Sequence, residues 1–246
     1  MQPKRFCSLL ICLCLLAGAP AALAKPTHAE ALFAAHPELG FPLTQDPQTD
    51  PLLMLVNRQH RLDARFKPEL VTPKVAKKRG ADIDLHPEAA RALERLFDAA
   101  KAEGLSLSAI SGYRSYGTQR TIYERSVERN GQARADRMSA PPGASEHQTG
   151  LAMDVSCKSL DHELTSAFSR KPEGKWVAAH CSEYGFILRY RKEWQDITGY
   201  QGEPWHIRYI GPQHAAAITA LDVPFETYHA YLALVWQQQN EAPAVP

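Results

Sequence analysis

Residues 145–154 read Ser-Glu-His-Gln-Thr-Gly-Leu-Ala-Met-Asp, and they contain two side chains that commonly bind metal ions, His147 and Asp154. The preceding Ala-Pro-Pro-Gly at 140–143 breaks the chain and predicts a loop, which leads into a short strand over 151–155. His147 then lies on the loop and Asp154 on the strand that it enters, so the two side chains can converge. Ala152 shares a strand face with Asp154, and its small side chain leaves room beside a metal ion.

A second stretch, Glu-Pro-Trp-His at 203–206, adds another candidate ligand and a further carboxylate. A catalytic zinc ion usually takes three protein ligands and keeps one position open, and His147, Asp154 and His206 provide such a set. In a continuous strand, Glu203 and His206 would point to opposite faces. The neighbouring glycine and proline predict a bend, which would bring Glu203 over the metal as a general base for the attacking water.

A third stretch, Ser-Gly-Tyr-Arg-Ser at 111–115, contains no ligand but offers a cation, Arg114. The alternation over 105–112 predicts a strand that runs into this motif. The position of Arg114 at the strand end, between Gly112 and Ser115, favours a fixed cation that points into a site over an ordinary surface arginine. Each stretch alone is a weak signal, and it is their combination that indicates a metal-dependent hydrolase.

The rest of the chain predicts helices and short strands without regular alternation. Helices are expected over 87–103, 115–130, 175–184, 212–220 and 224–238. Strands are expected over 52–57, 105–112, 151–155, 186–190 and 205–210. This pattern predicts an α+β fold, in which helices flank a small, mostly antiparallel sheet that carries the site.

The first 24 residues have the layout of a cleaved secretory signal. Lys4 and Arg5 precede an apolar run over 6–19, and the small Ala22 and Ala24 fit a signal-peptidase site. The run is too short for an ordinary membrane-spanning helix, and no later segment is long and apolar enough. We therefore expect an exported, periplasmic or secreted protein with a signal peptide over 1–24, a loosely structured lead-in over 25–51 and one catalytic domain over 52–240.

The charge and the cysteine content narrow the class of protein further. The chain has 28 Lys and Arg against 27 Asp and Glu, and it has no basic run, which argues against nucleic acid or an anionic membrane as a partner. Three of the five cysteines fall in the predicted signal. The other two, Cys157 and Cys181, are too few for a thiolate metal site, and in an exported chain they predict one disulfide.

Ser-x-His-x6-Asp followed by Glu-x-Trp-His resembles the pattern of the VanY-type D-alanyl-D-alanine carboxypeptidases. These zinc peptidases are related to the vancomycin-resistance dipeptidases and phage endolysin peptidases, and they share a fold with the hedgehog signalling domain. The resemblance covers about residues 52–236 and includes the motifs at 111–115 and 185–190. It implies one zinc ion per chain on His147, Asp154 and His206. It also implies a catalytic base at Glu203, stabilisation of the oxyanion by Arg114, and a substrate pocket lined by Ser145, Gln119 and Tyr190.

The function that the resemblance implies is hydrolysis of the terminal D-alanyl-D-alanine bond of peptidoglycan stem peptides, and we expect a monomer. The same zinc site would also suit an L,D-carboxypeptidase or a peptidoglycan endopeptidase. A non-catalytic wall-binding module is disfavoured, because structural zinc sites are usually closed by a fourth protein ligand. A penicillin-sensitive serine peptidase is disfavoured as well. Such enzymes carry a Ser-x-x-Lys motif, and none of the candidate serines at 139, 145, 156 and 166 has a lysine three positions later.

Overall fold

In the computed structural model, which describes residues 27–241, four strands form one sheet in the order β1-β2-β4-β3. The strands are β1 (Leu107–Ser111), β2 (Ala152–Cys157), β3 (Phe186–Leu188) and β4 (His206–Tyr209). All three pairings are antiparallel, so the predicted α+β class with a small antiparallel sheet is confirmed. The predicted signal peptide lies outside the described residues.

Helices flank this sheet, and several begin and end where the sequence predicts. They are α1 (His28–Ala35), α2 (Pro87–Ala102), α3 (Tyr116–Asn130), α4 (Gln132–Met138), α5 (Pro172–His180), α6 (Gln195–Thr198), α7 (Pro212–Leu221) and α8 (Phe225–Asn240). The Ser115 side chain accepts the N–H of Thr118 at the start of α3, and Gly131 ends the helix at a φ of 73°. Between residues 27 and 241, no helix combines the length and the apolar character that crossing a bilayer requires.

The main apolar core lies between α2 and one face of the sheet. Leu93 and Leu96 of α2 belong to the same buried cluster as Met153, Val155 and Ile207 of the two central strands. Because alternate residues of a strand point to opposite faces, the residues between them must lie on the other side of the sheet.

That other face of the sheet carries polar side chains at its centre. Asp154 of β2 is paired directly with His206 of β4, and Ala152 is paired with Arg208. All four residues are buried. The small side chain of Ala152 therefore leaves room for the guanidinium group of the arginine opposite.

The segment over 25–51, expected to be loosely structured, contains a regular helix. Residues 28–35 form α1, which begins with a capping box between Thr27 and Glu30. The helix packs on α8, where the rings of Phe33 and Tyr231 lie 6.5 Å apart. This part of the predicted lead-in is thus a helix attached to the domain.

The prediction of a strand over 52–57 is wrong. Residues 51–53 form a single 3-10 turn, and no regular strand follows. Pro51 has no N–H to donate to a sheet, and the Asp50 side chain accepts the N–H of Leu52, which starts the turn. The apolar residues of this stretch contact helices: Leu53 is buried in a second core cluster with residues of α7 and α8.

The expected disulfide is not formed, because Cys157 and Cys181 are both free and buried thiols. Both belong to the core cluster beside α2. The Cys157 sulfur lies 3.3 Å from the Ser159 hydroxyl oxygen. The Cys181 thiol lies against the backbone of Leu188, and burial raises its pKa to about 12. Each thiol therefore packs as a small apolar side chain with its own neighbours.

Candidate metal centre

The loop at 145–151 is held in place by hydrogen bonds along its length. Its centre is a 3-10 turn over Glu146–Thr149, in which the Thr149 hydroxyl donates to the Glu146 carbonyl at 2.6 Å. The Gln148 side-chain amide donates to two backbone carbonyls of the distant 63–66 segment, at 2.9 and 3.3 Å. Gly150 ends the turn at a φ of 71°, which glycine adopts without strain. His147 is thereby fixed next to the start of β2.

His147, Asp154 and His206 converge on one point, as the sequence predicts. One candidate ligand atom from each residue lies within 4.8 Å of the others, and all three residues are buried. The distance from His147 Nε2 to Asp154 Oδ2 is 3.4 Å, and that from His206 Nδ1 to Asp154 Oδ1 is 3.1 Å. Each histidine therefore faces a different oxygen of the same carboxylate.

The two histidines face this point with different ring nitrogens. His147 Nδ1 lies 2.7 Å from the carbonyl oxygen of Gly112. A carbonyl can only accept, so Nδ1 carries the hydrogen and Nε2 keeps its lone pair. His206 is turned the other way: its Nε2 lies 3.3 Å from Glu146 Oε2, which leaves Nδ1 toward Asp154.

This arrangement fits a zinc ion. Zinc in catalytic sites takes imidazole nitrogen and carboxylate oxygen, and the second nitrogen of a ligating histidine usually donates to a carbonyl or carboxylate. Both histidines meet this second condition. His147 Nε2 is buried and has no hydrogen-bond partner among residues 27–241, which a metal ligand would explain.

Burial and the neighbouring charges shift the pKa values of the three residues in different directions. Burial, with a contribution from the Arg114 cation, lowers the pKa of His147 to about 4, so this imidazole is neutral at physiological pH. Burial opposes protonation of His206 as well, but the carboxylates of Asp154 and Glu146 raise its pKa to about 9. Burial alone would raise the pKa of Asp154, yet the two histidines lower it, and Asp154 stays ionised.

Glu203 lies beside the candidate ligands because of the bend that the sequence predicts. The N–H of His206 donates to the Glu203 carbonyl at 3.1 Å and closes a turn through Pro204. The N–H of Glu203 donates to the carbonyl of Tyr190 at 2.8 Å, which fixes the other side of the turn. Glu203 lines the same cavity as the candidate ligands, and burial raises its pKa to about 7.

Arg114 reaches the site from the end of β1. Its Nη1 lies 3.7 Å from Asp154 Oδ2 and 3.4 Å from the Ser111 hydroxyl. Its Nε is buried and has no hydrogen-bond partner in the described part of the chain. The backbone N–H of Arg114 donates to the His147 carbonyl at 3.1 Å, so β1 and the metal-site loop are joined at this residue.

The carbonyl that orients His147 belongs to a position that only glycine can occupy. A Cβ atom at Gly112 would lie 2.5 Å from the carbonyl oxygen of Asp84 and 2.6 Å from the carbonyl carbon of Ile83. The backbone of these two residues therefore packs directly against the end of β1. Gly112 is part of the predicted motif over 111–115, but this close backbone packing has no signal in the sequence.

The site opens into a cavity of about 190 Å³, which the three predicted pocket residues also line: Ser145, Gln119 and Tyr190. The Gln119 Nε2 donates to the Ala140 carbonyl at 2.7 Å, and its Oε1 is buried without a partner among the described residues. The ring of Tyr190 lies 4.9 Å from that of His206. Tyr190 and Trp205 also line a neighbouring cavity of about 840 Å³, so the two spaces adjoin.

A group of charged residues that was not predicted from the sequence lies behind the candidate ligands: Glu146, Arg189, Arg208 and Glu226. The first three are buried. One signal was present, because Arg208 lies two residues after His206 on an apolar strand and must share its face. A charge on the inner face of a strand requires a buried partner.

Comparisons with known proteins point to one family. The VanY family model, described as D-alanyl-D-alanine carboxypeptidase, matches residues 82–212, which include all predicted site residues. The bifunctional D-Ala-D-Ala dipeptidase and D-Ala-D-Ala carboxypeptidase VanXYC of Enterococcus gallinarum is 37% identical over 190 residues, which are 76% of this chain and 97% of that protein.

Solved structures are similar over about three quarters of the chain. The LdcB LD-carboxypeptidase has a TM-score of 0.69 and 44% identity, and the match covers 76% of this chain and 88% of that one. A variant of the vancomycin-resistance D,D-pentapeptidase VanY in complex with Zn(II) has a TM-score of 0.63 and 31% identity, and the match covers 73% of this chain and 99% of that one.

Proposed function

Because the chain belongs to the VanY D-alanyl-D-alanine carboxypeptidase family, we propose that it is a zinc peptidase that hydrolyses the terminal D-alanyl-D-alanine bond of peptidoglycan stem peptides. The product is free D-alanine. The observation that carries this proposal is the convergence of three buried ligand side chains, one carboxylate and one arginine on a single small cavity.

His147, Asp154 and His206 would hold one zinc ion per chain. When bound, zinc supplies Lewis-acid polarisation of the scissile carbonyl and of the attacking water. The mixed nitrogen and oxygen ligand set supports this metal, as does the Zn(II) complex of the related D,D-pentapeptidase.

Glu203 is the general base of the proposed reaction. Its carboxylate takes a proton from the attacking water, and the resulting carboxylic acid passes that proton to the amine of the departing D-alanine. A group that accepts and then donates a proton works best when its pKa lies near the working pH. The pKa of about 7 that burial gives Glu203 meets this condition.

Arg114 stabilises the negative charge that develops on the carbonyl oxygen when the water attacks. Its Nε and its place beside Asp154 make it a fixed donor in a partly buried site, where such hydrogen bonds are stronger than in water. The buried Oε1 of Gln119 can accept a substrate N–H, and Ser145 and Tyr190 complete the wall. The adjoining larger cavity beyond Trp205 suits the remainder of the stem peptide.

A second candidate function is L,D-carboxypeptidase activity, in which the same centre removes D-alanine from a tetrapeptide stem. The identity to the LdcB LD-carboxypeptidase is 44%, against 31% to the D,D-pentapeptidase VanY. This difference favours the L,D reaction as the alternative to test first.

The decisive experiment is incubation of the zinc-loaded protein with a pentapeptide stem and, separately, with a tetrapeptide stem. Mass spectrometry and chiral amino-acid analysis identify what is released, and Glu203→Ala serves as the inactive control. We expect D-alanine from the pentapeptide alone. Release from the tetrapeptide alone would replace the D,D assignment by the L,D one, and release from neither would contradict both.

We also propose that the mature protein is an exported monomer that begins at Lys25. The support is the predicted signal over 1–24, with its small residues at Ala22 and Ala24. Expression of the full chain in a bacterial host, followed by N-terminal sequencing of the exported form and light scattering, tests both parts. An uncleaved chain in the cell membrane, or a stable dimer, would contradict them.

A further inference from the structure

Glu146 lies between a candidate metal ligand and two buried arginines. It directly precedes His147 in the 3-10 turn, and it is 1% exposed. Its Oε1 accepts from Arg189 Nε at 2.8 Å and from Arg208 Nη1 at 3.0 Å. Its Oε2 instead faces His206 Nε2 at 3.3 Å. The two oxygens of one carboxylate therefore have different kinds of partner.

The two arginines that hold Glu146 are themselves fixed. Arg189 donates to both oxygens of Glu226, at 2.9 and 2.6 Å, in a bidentate pair. Arg208 donates from Nη2 to two backbone carbonyls of the 52–54 segment, at 3.0 and 2.9 Å. Both guanidinium groups are fully buried. Rotation of the Glu146 carboxylate would break hydrogen bonds to both, so its orientation is set from behind.

The need to neutralise the buried arginines explains the contacts of only one Glu146 oxygen, Oε1. The two carboxylates of Glu146 and Glu226 already balance the two guanidinium groups in charge. Among the described residues, Oε2 of Glu146 accepts no hydrogen bond from either arginine. Its close polar neighbour is the ring nitrogen Nε2 of His206. This is the nitrogen on the side of the ring away from Asp154.

We propose that Glu146 is a positioning residue of the metal centre, whose Oε2 accepts the Nε2 hydrogen of His206 and so turns Nδ1 toward the metal. The inference rests on the zinc site of the proposed function. His147 is oriented in the same way by a neutral carbonyl, that of Gly112. A carboxylate in this role also makes the imidazole a stronger electron donor to the ion.

Zinc affinity of Glu146→Gln and Glu226→Gln, measured by competition with a chromophoric chelator, tests the proposal. Loss of a carboxylate behind a ligating histidine typically weakens metal binding by about 10- to 100-fold, and we expect this for Glu146→Gln. Glu226→Gln removes a carboxylate from the same buried ion network without contact to His206, and it should bind zinc like the wild type. The visible spectrum of the cobalt(II)-loaded protein should change in the first variant only. Wild-type affinity in Glu146→Gln, or an equal loss in both variants, would overturn the proposal.

A second measurement needs no substitution and is decisive even where Glu146→Gln does not fold. Nitrogen-15 NMR of the zinc-loaded wild type reports which nitrogen of each histidine carries a hydrogen. We expect His206 to carry it on Nε2 and His147 on Nδ1. A hydrogen on Nδ1 of His206 would overturn the proposal. A wild type that binds no zinc would be seen in the chelator competition before any variant is compared, and it would refute the proposed function together with this inference.

Discussion

The two faces of the central strand pair are equally buried but are stabilised in different ways. On one face, Met153, Val155 and Ile207 lie in the apolar core beside α2. On the other, Asp154 and His206 lie opposite each other within a network of hydrogen bonds and ion pairs. Burial of the apolar face is favourable in itself, at roughly 25 cal/mol per Å². Burial of the polar face is unfavourable unless each group has a partner.

This difference separates the face that would carry the proposed chemistry from the face that stabilises the fold. A buried polar cluster does not add stability over well-packed apolar residues of the same volume. A cluster of this size in the centre of a small sheet is therefore explained by its use. Substitutions on the polar face should change metal binding and turnover, whereas substitutions on the apolar face should change the free energy of unfolding.

The largest effect is expected for His147→Ala, which removes one ligand and the buried Nε2. We expect zinc to be lost at concentrations that saturate the wild type, and turnover to be lost with it. Metal analysis after gel filtration measures this directly. His180→Ala, which changes a half-buried histidine paired with Glu183 outside the candidate site, is the matched control and should keep its zinc. Full zinc content in His147→Ala would remove this residue from the ligand set.

The next effect is expected for Glu203→Ala, which should separate catalysis from metal binding on the polar face. Loss of a positioned general base typically lowers turnover by about 10²- to 10⁴-fold, while the three ligands remain. Zinc content and turnover are measured on one preparation, with the exposed Glu183→Ala as control. Near-normal turnover would show that Glu203 is not the base, and loss of zinc would make it a ligand.

On the apolar face, Met153→Ala should lower the free energy of unfolding by about 2–5 kcal/mol, because it leaves a cavity at a fully buried site. The zinc affinity of the folded protein should not change, since the side chain points away from the metal site. Urea unfolding of the metal-free protein and chelator competition measure the two quantities. A parallel loss of zinc affinity would show that the two faces are coupled.

The smallest effect is expected for a substitution of His229, which lies on α8 and is not one of the candidate metal ligands. Burial, chiefly, lowers its pKa to about 4, whereas the pKa of histidine in an unfolded chain is about 6.5. The unfolded state therefore binds the proton more readily, and the folded state loses stability as the pH falls from about 6.5 toward 4. His229→Gln should remove on the order of 1 kcal/mol of this dependence at about pH 5.5. Identical pH profiles of the two proteins in urea unfolding would contradict the prediction.

The fold class and the convergence of the candidate ligands could be predicted from the sequence because they depend on short stretches. His147 and Asp154 lie in one loop-and-strand segment, and His206 and Glu203 in another, so local patterns were enough to identify them. Helix ends such as Ser115 and Pro87 have local signals as well. Which strands are neighbours in the sheet required the structure.

The residues that were missed depend on distant contacts. Besides Glu146, the partners of the buried Arg208 are backbone carbonyls at 52–54, more than 150 positions earlier in the chain. The disulfide prediction rested on the number of cysteines and the compartment, and neither contains a distance. The strand predicted over 52–57 failed because apolar character alone does not distinguish a strand from a turn that packs under helices.

The direct pairing of Asp154 with His206 has a consequence for how the protein is made. These residues are 52 positions apart and become neighbours only when β4 has joined β2 in the correct register. A slip by one residue would turn His206 to the apolar side of the sheet. A nascent chain that ends before β4 lacks His206, and a misaligned chain has it on the wrong face. In neither form are the three candidate ligands assembled. Under the proposed function, zinc capture would therefore be a late event in biogenesis, and it would report that strand assembly has been completed.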